Sequence, residues 1–224
     1  MKRIILLSFL VFYLLQVKAQ IAISNDISGA PIEAKNSPDE FKGNKYLKDA
    51  WTKGDVLQRD NKFFKDMDLK YDLLKDMLIF KNDKEDVLAF KYPVKEFHLK
   101  NRGTWSTLPS IYRNGYPATE KFTKESYYEV LAEGKASLLK KQFKTFVDAI
   151  AYGASETKKT LIDNEFYFLF YRDKMIKIKN PNKDIPKILA DKENEIKAFI
   201  KTNNINLKSE ENQIRVIDYY NSLN

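Results

Sequence analysis

The chain has no cysteine, and one histidine in 224 residues. The first absence rules out disulfides, which exported domains use when their cores are small. It also rules out a lipid carried on a cysteine. With a single histidine, a zinc site of the usual nitrogen and sulfur ligands cannot be assembled either. Glycine is scarce, at seven residues with none in a glycine-rich run, so no phosphate-cradling loop is present. Arginine is scarcer still: 6 residues against 33 lysines. Arginine is the residue that forks onto phosphates and base edges. Lysines interleaved with 31 acids make a solvated surface, so no nucleic-acid partner is expected.

What is present begins at the N-terminus. Met1-Lys2-Arg3 is basic, Ile4 to Leu15 is apolar except for Ser8, and Val17-Lys18-Ala19 offers a small-residue cleavage site. This pattern reads as a secretory signal peptide, residues 1–19, cleaved near Ala19-Gln20. Twelve helical residues cover about 18 Å, short of a hydrocarbon core about 30 Å thick. No second apolar run of that kind follows, so no transmembrane segment is expected in the mature chain. Gln20 stands where a lipidated cysteine would be, so no lipid anchor is expected. The expected location is therefore exported, periplasmic or secreted. Loss of Lys2, Arg3 and Lys18 with the signal lowers the net charge from +8 to +5.

Residues 20–45 are rich in Ser, Asn, Asp, Gly and Pro and read as a loosely ordered leader. Residues 46–180 read as a β-rich body. Asp66 to Leu73 alternates charged and apolar residues, the mark of a strand with one wet face. Short strands follow at Asp76–Lys81, Val87–Phe90 and Val94–Leu99, separated by polar turns and Pro93. Two hairpins follow: Tyr127–Leu131 with Ala136–Lys140, where Gly134 is expected at positive φ, and Glu165–Phe170 with Lys174–Lys179 around Arg172-Asp173. Residues 181–224 change period from two to 3.6. Ile185/Ile188/Leu189, Ile196/Phe199/Ile200 and Ile214/Val216/Ile217/Tyr220 form three short apolar stripes. Asp191 is expected to cap the second helix and Ser209 the third. Strands followed by helices give an α+β fold. The expectation is a curved antiparallel β-meander or open barrel with two or three short C-terminal helices packed on it as one globular unit.

Several stretches carry a wider resemblance. They are Trp51-Thr52-Lys53-Gly54-Asp55-Val56, Leu69 to Phe80, Tyr128 to Lys135, Leu138 to Lys141, Asp191 to Lys201 and Tyr219 to Leu223. In them the chain resembles a group of uncharacterised exported bacterial proteins with a β-rich body and a short helical tail. The resemblance spans about residues 45 to 224 and implies a compartment and a layout. No functional residue is carried over from it.

Candidate chemistry is thin. His98 lies in a strand on the face opposite Phe97 and Leu99, and reads as a half-exposed strand histidine more readily than as a general base. Asp66, Asp68, Asp72 and Asp76 share parity, but lysines interrupt them and the glycine of a calcium loop is missing; they read as a solvated strand face. Gly153-Ala154-Ser155 lacks the second glycine of a nucleophile elbow. The remaining candidate is Lys100 to Lys124, the longest irregular stretch. There Trp105, Tyr112, Arg113 and Tyr116 are candidates for an aromatic and cationic patch that binds a glycan or protein partner; the alternative is that the aromatics fold back to cap the sheet.

No cofactor and no metal is expected. The leading expectation is an exported, non-enzymatic protein that binds an unknown protein or envelope glycan. The alternatives are an envelope hydrolase using distant carboxylates, such as Glu129 with Asp72, and a structural envelope protein.

Overall fold

The computed structural model describes residues 22–23, 27–32, 43–100, 108–150 and 157–223. The signal segment, part of the leader, Trp105 and Ser155 lie outside them. The described residues form one sheet and three helices.

The strands are β1 (Ala22–Ile23), β2 (Gly29–Pro31), β3 (Thr52–Gln58), β4 (Lys62–Asp72), β5 (Met77–Lys81), β6 (Val87–Phe90) and β7 (Val94–Leu99). They continue with β8 (Ser110–Arg113), β9 (Tyr128–Ala132), β10 (Ala136–Ile150), β11 (Thr157–Tyr171) and β12 (Lys174–Ile178). Eleven of them lie in the order β12-β11-β10-β9-β8-β7-β3-β4-β5-β6-β2, every neighbour antiparallel, and β1 adds a short parallel pairing to β4. The sheet is not closed. Residues 22–23 and 29–31, within the stretch expected to be loosely ordered, are held in the sheet by β4 and β6.

The order forces a bend. β6 and β7 stand four strand spacings apart, about 19 Å in a flat sheet. Phe90 and Val94 are only four residues apart, a reach of at most about 14 Å. The β3–β6 half must therefore curl back on itself. The curl encloses Val56, Phe64, Leu69, Tyr71, Phe80, Phe97, Leu99 and Tyr112 as one core.

The β9–β12 half is buried on both faces, and period-two geometry explains how. Phe166, Phe168 and Phe170 pack on one side with Leu139 and Phe143. Tyr167, Leu169 and Tyr171 pack on the other with Leu138 and the helices. The run Phe166-Tyr167-Phe168-Leu169-Phe170 is thus a strand with apolar packing on both faces. Arg172 and Asp173, both at positive φ (49° and 58°), form its two-residue turn into β12, the twist such hairpins prefer.

The helices are α1 (Pro181–Ile188), α2 (Glu193–Thr202) and α3 (Glu210–Ser222), with a 3-10 turn at Ala190–Lys192 before α2. Proline opens α1, where its missing N–H costs nothing. Ser209 caps α3 by accepting from the Asn212 N–H at 3.2 Å. Asp191 does not cap α2. Its carboxylate instead accepts the hydroxyls of Tyr171 (3.0 Å) and Tyr220 (3.1 Å), tying β11 to α3. Ile185, Leu189, Ile196, Leu207, Val216, Ile217 and Tyr220 are buried against the sheet. Gly134 is not among the residues at positive φ. Its lack of a side chain admits Asn221, whose amide would lie 2.4 Å from an added Cβ and which bonds both the N–H and the carbonyl of Ala136 at 2.9 Å.

Candidate functional site

The residues expected to form an aromatic patch are distributed differently. Tyr112 is buried in β8, stacked on Phe97 with centroids 4.9 Å apart. Tyr116 is buried against Tyr128 and Phe170, edge to face. Arg113 is half-buried, and its guanidinium bonds both Glu96 and Glu133, so its charge is already matched. These three side chains hold the sheet together. His98 is half-buried, with Nε2 2.7 Å from Glu96 Oε1. Burial opposes the Glu96 charge, but the His98 and Arg113 hydrogen bonds and the Arg113 charge outweigh it and hold the carboxyl at about 2.

The four aspartates of the β4 region do not cluster. Asp66 sits at positive φ (54°) where β3 and β4 slip register, so β4 is not regular there. Each carboxylate meets a different lysine: Asp66 meets Lys100, Asp68 meets Lys53 at 2.9 Å, Asp72 meets Lys45 at 3.3 Å and Asp76 meets Lys141 at 2.7 Å. Asp72 is not on a wet face. It is 1% exposed, and its Oδ1 accepts the N–H groups of Leu74 and Lys75, closing the β4–β5 turn. Glu129, its expected counterpart, lines a small polar cavity with Lys140, Gln142 and Glu210, and Asp72 does not line that cavity. No group of three or more potential metal ligands exists among the described residues.

Sequence reasoning missed Lys141. It lies in β10 between Leu139 and Phe143, on the parity that faces the core, and it is 1% exposed. Its ammonium donates to Tyr71 Oη (3.1 Å) and the Tyr127 carbonyl (3.0 Å) and pairs with Asp76. Tyr71 also donates to Asp76. Burial pulls the Lys141 ammonium below its ordinary value, with Asp76 working against that; burial and the Asp76 charge push the Tyr71 hydroxyl well up. A lysine at an apolar period-two position was the available signal.

The Phe122 ring lies 5.5 Å from the Lys141 ammonium and carries the surface outward. Its far side lines a groove of about 590 Å3 shared with Thr119, Lys121, Phe166, Met175 and Lys177. The segment between β8 and β9 forms one wall. On the other side, β12 alternation sends Ile176 and Ile178 toward the helices and puts Met175, Lys177 and Lys179 on the groove. The Lys177 ammonium sits 3.1 Å from the Phe166 centroid, and that of Lys121 sits 5.5 Å from it. Cations over ring faces are attracted by the ring quadrupole. Among the described residues, every ion pair with a carboxylate leaves Lys121, Lys177 and Lys179 out. The groove thus joins an aromatic floor to three lysines and one acid, Glu120, a net positive lining.

Comparison with protein-family models, with curated proteins and with solved structures returned no match.

Proposed function

We propose that the chain is an exported binding protein whose ligand is an anionic amphiphile, held in the groove between the β8–β9 segment and strands β11 and β12. The observation that carries this reading is the set of three lysines around Phe122, Phe166 and Phe168 that have no carboxylate partner among the described residues. A volume of about 590 Å3 is within the usual range for small-molecule sites, roughly 300–1,000 Å3. The rings accept an apolar chain; the ammonium groups accept a carboxylate, phosphate or sulfate. Export is supported by the signal-like residues 1–19.

Calorimetric titration with dodecyl phosphate, below its micelle concentration, tests the reading. Saturable one-to-one binding is expected. Dodecyltrimethylammonium, with the same tail and the opposite charge, should give none. Lys177→Glu combined with Lys179→Glu should abolish the phosphate binding while the thermal unfolding transition is kept. Equal binding of the two amphiphiles, or undiminished binding by the double variant, would overturn it.

A further inference from the structure

β10 and β11 pair over all fifteen residues, from Ala136 opposite Tyr171 to Ile150 opposite Thr157. Their flanking strands are much shorter. β9 pairs with β10 at residues 138–140, and β12 pairs with β11 at residues 167–171. The outer half of the hairpin therefore runs on as a two-stranded ribbon, met near its base by Leu73, whose carbonyl accepts the Lys144 N–H at 3.1 Å, and by Asn44 and Gly43, which lie beside Lys144 and Leu161. Isolated ribbons of this kind are marginal in water. Three of the exposed large apolar side chains, Phe146, Val147 and Ile162, are on it.

The outer edge of β11 has no partner strand among the described residues from Thr157 to Phe166, a row about 30 Å long. Unpaired N–H and C=O groups on such an edge are a template for another strand. The charges along it are arranged with a polarity. Lys159 stands near the start, and Asp163 and Glu165 near the end. Lys159 is exposed and has no carboxylate partner among the described residues, and Asp163, which pairs with Lys144 at 3.1 Å, keeps 82% of its side chain exposed and open to a second cation.

We propose that this edge pairs antiparallel with the same edge of a second copy of the chain, about a two-fold axis through Leu161. The charge order selects the occupant and its direction. Antiparallel pairing with an identical edge sets Lys159 opposite Asp163 of the copy, twice per dimer, whereas parallel pairing would set lysine against lysine. A two-fold axis normal to the sheet keeps odd residues on one face, so only residues of equal parity stand opposite each other. The Leu161-centred register runs from Thr157 to Glu165 and stops before β12. Moving the axis one residue on, to Ile162, would set Thr157 of the copy at Tyr167, a place already taken by Ile178.

Sedimentation of the purified chain over a concentration series tests the proposal. A reversible monomer–dimer equilibrium is expected. Lys159→Glu alone or Asp163→Lys alone sets like charges opposite each other and should weaken dimerisation by about tenfold. The charge-swapped double variant, Lys159→Glu with Asp163→Lys, should restore it, which a folding defect would not do. Because the chain lacks cysteine, Leu161→Cys gives a clean register probe. It should cross-link to its own copy on mild oxidation, and Glu165→Cys, more than 20 Å from its copy in this register, should not. A monomer at all concentrations, a dimer indifferent to both single reversals, or cross-linking at 165 and not at 161 would each overturn the proposal.

Discussion

The ammonium of Lys141 stands 2.7 Å from the carboxylate of Asp76, joining the middle of β10 to the β4–β5 turn. In sheet order these strands are far apart, so the pair exists only because the sheet bends. A backbone bond from Lys144 N–H to the Leu73 carbonyl at 3.1 Å crosses at the same place.

The pair is buried on the lysine side, and removing one partner strands the other. Asp76→Asn should destabilise the fold by about 3 kcal/mol, since an uncompensated buried charge is costly. Lys141→Met together with Asp76→Asn should recover most of that loss, because the apolar stem then fills the space between Leu139 and Phe143. Urea unfolding of the two variants decides the matter; a double variant no better than the single would refute it.

Glu96 gives the fold an acid-sensitive element. Its carboxyl is held at about 2 in the fold against an ordinary 4.5. A lowered folded value means that the contribution is fully present above pH 4.5 and disappears as pH falls toward 2. That contribution is at most about 3 kcal/mol. Between pH 5 and pH 2.5 the native chain should therefore lose more stability than Glu96→Gln does. Parallel stability curves for the two proteins would contradict the assignment.

Gly134→Ala should cost about 1–3 kcal/mol by overpacking. The obstructing group is the Asn221 amide, which its two bonds to Ala136 keep from moving aside. In an Asn221→Ala background the same substitution should cost much less. A double-mutant cycle measured by thermal unfolding gives the coupling directly.

Ser209→Ala removes the side-chain cap of α3 and should lower stability by about 1 kcal/mol. Asp191→Ala should cost more than a lost cap does, because two buried tyrosine hydroxyls lose their acceptor. Comparing the two by chemical denaturation separates capping from cross-linking.

Local patterns carried the element types. Alternation at Met67, Leu69 and Tyr71 marked β4, and the shift to a 3.6 period after Pro181 marked the helical segment. Ser209 was legible as a cap because its bond is to a residue three places away. What escaped was decided by distant contacts. Tyr171 and Tyr220 draw Asp191 away from capping. Asn221, 87 residues downstream, decides what Gly134 is for. Asp72 has the charge of a surface residue and is consumed by its own turn. The groove was half legible: the irregular segment near residue 120 does form a wall, but with Phe122 and Lys121, while Tyr112 and Tyr116 went to the core. The opposite wall comes from β11 and β12, and no spacing rule links residue 121 to residue 177.

The helices cover the inner part of one face of β9–β12, around Leu138 and Leu169, and Tyr220 of α3 belongs to that cover. Polypeptides are made from the N-terminus, so Leu138 and Leu169 stay bare until α3 has followed them out. Completion of this half of the molecule consequently waits on the helices that follow the strands in the chain. A stop codon between β12 and α3 would do more than trim a tail: it would leave a water-exposed oily sheet, a target for chaperones and proteases.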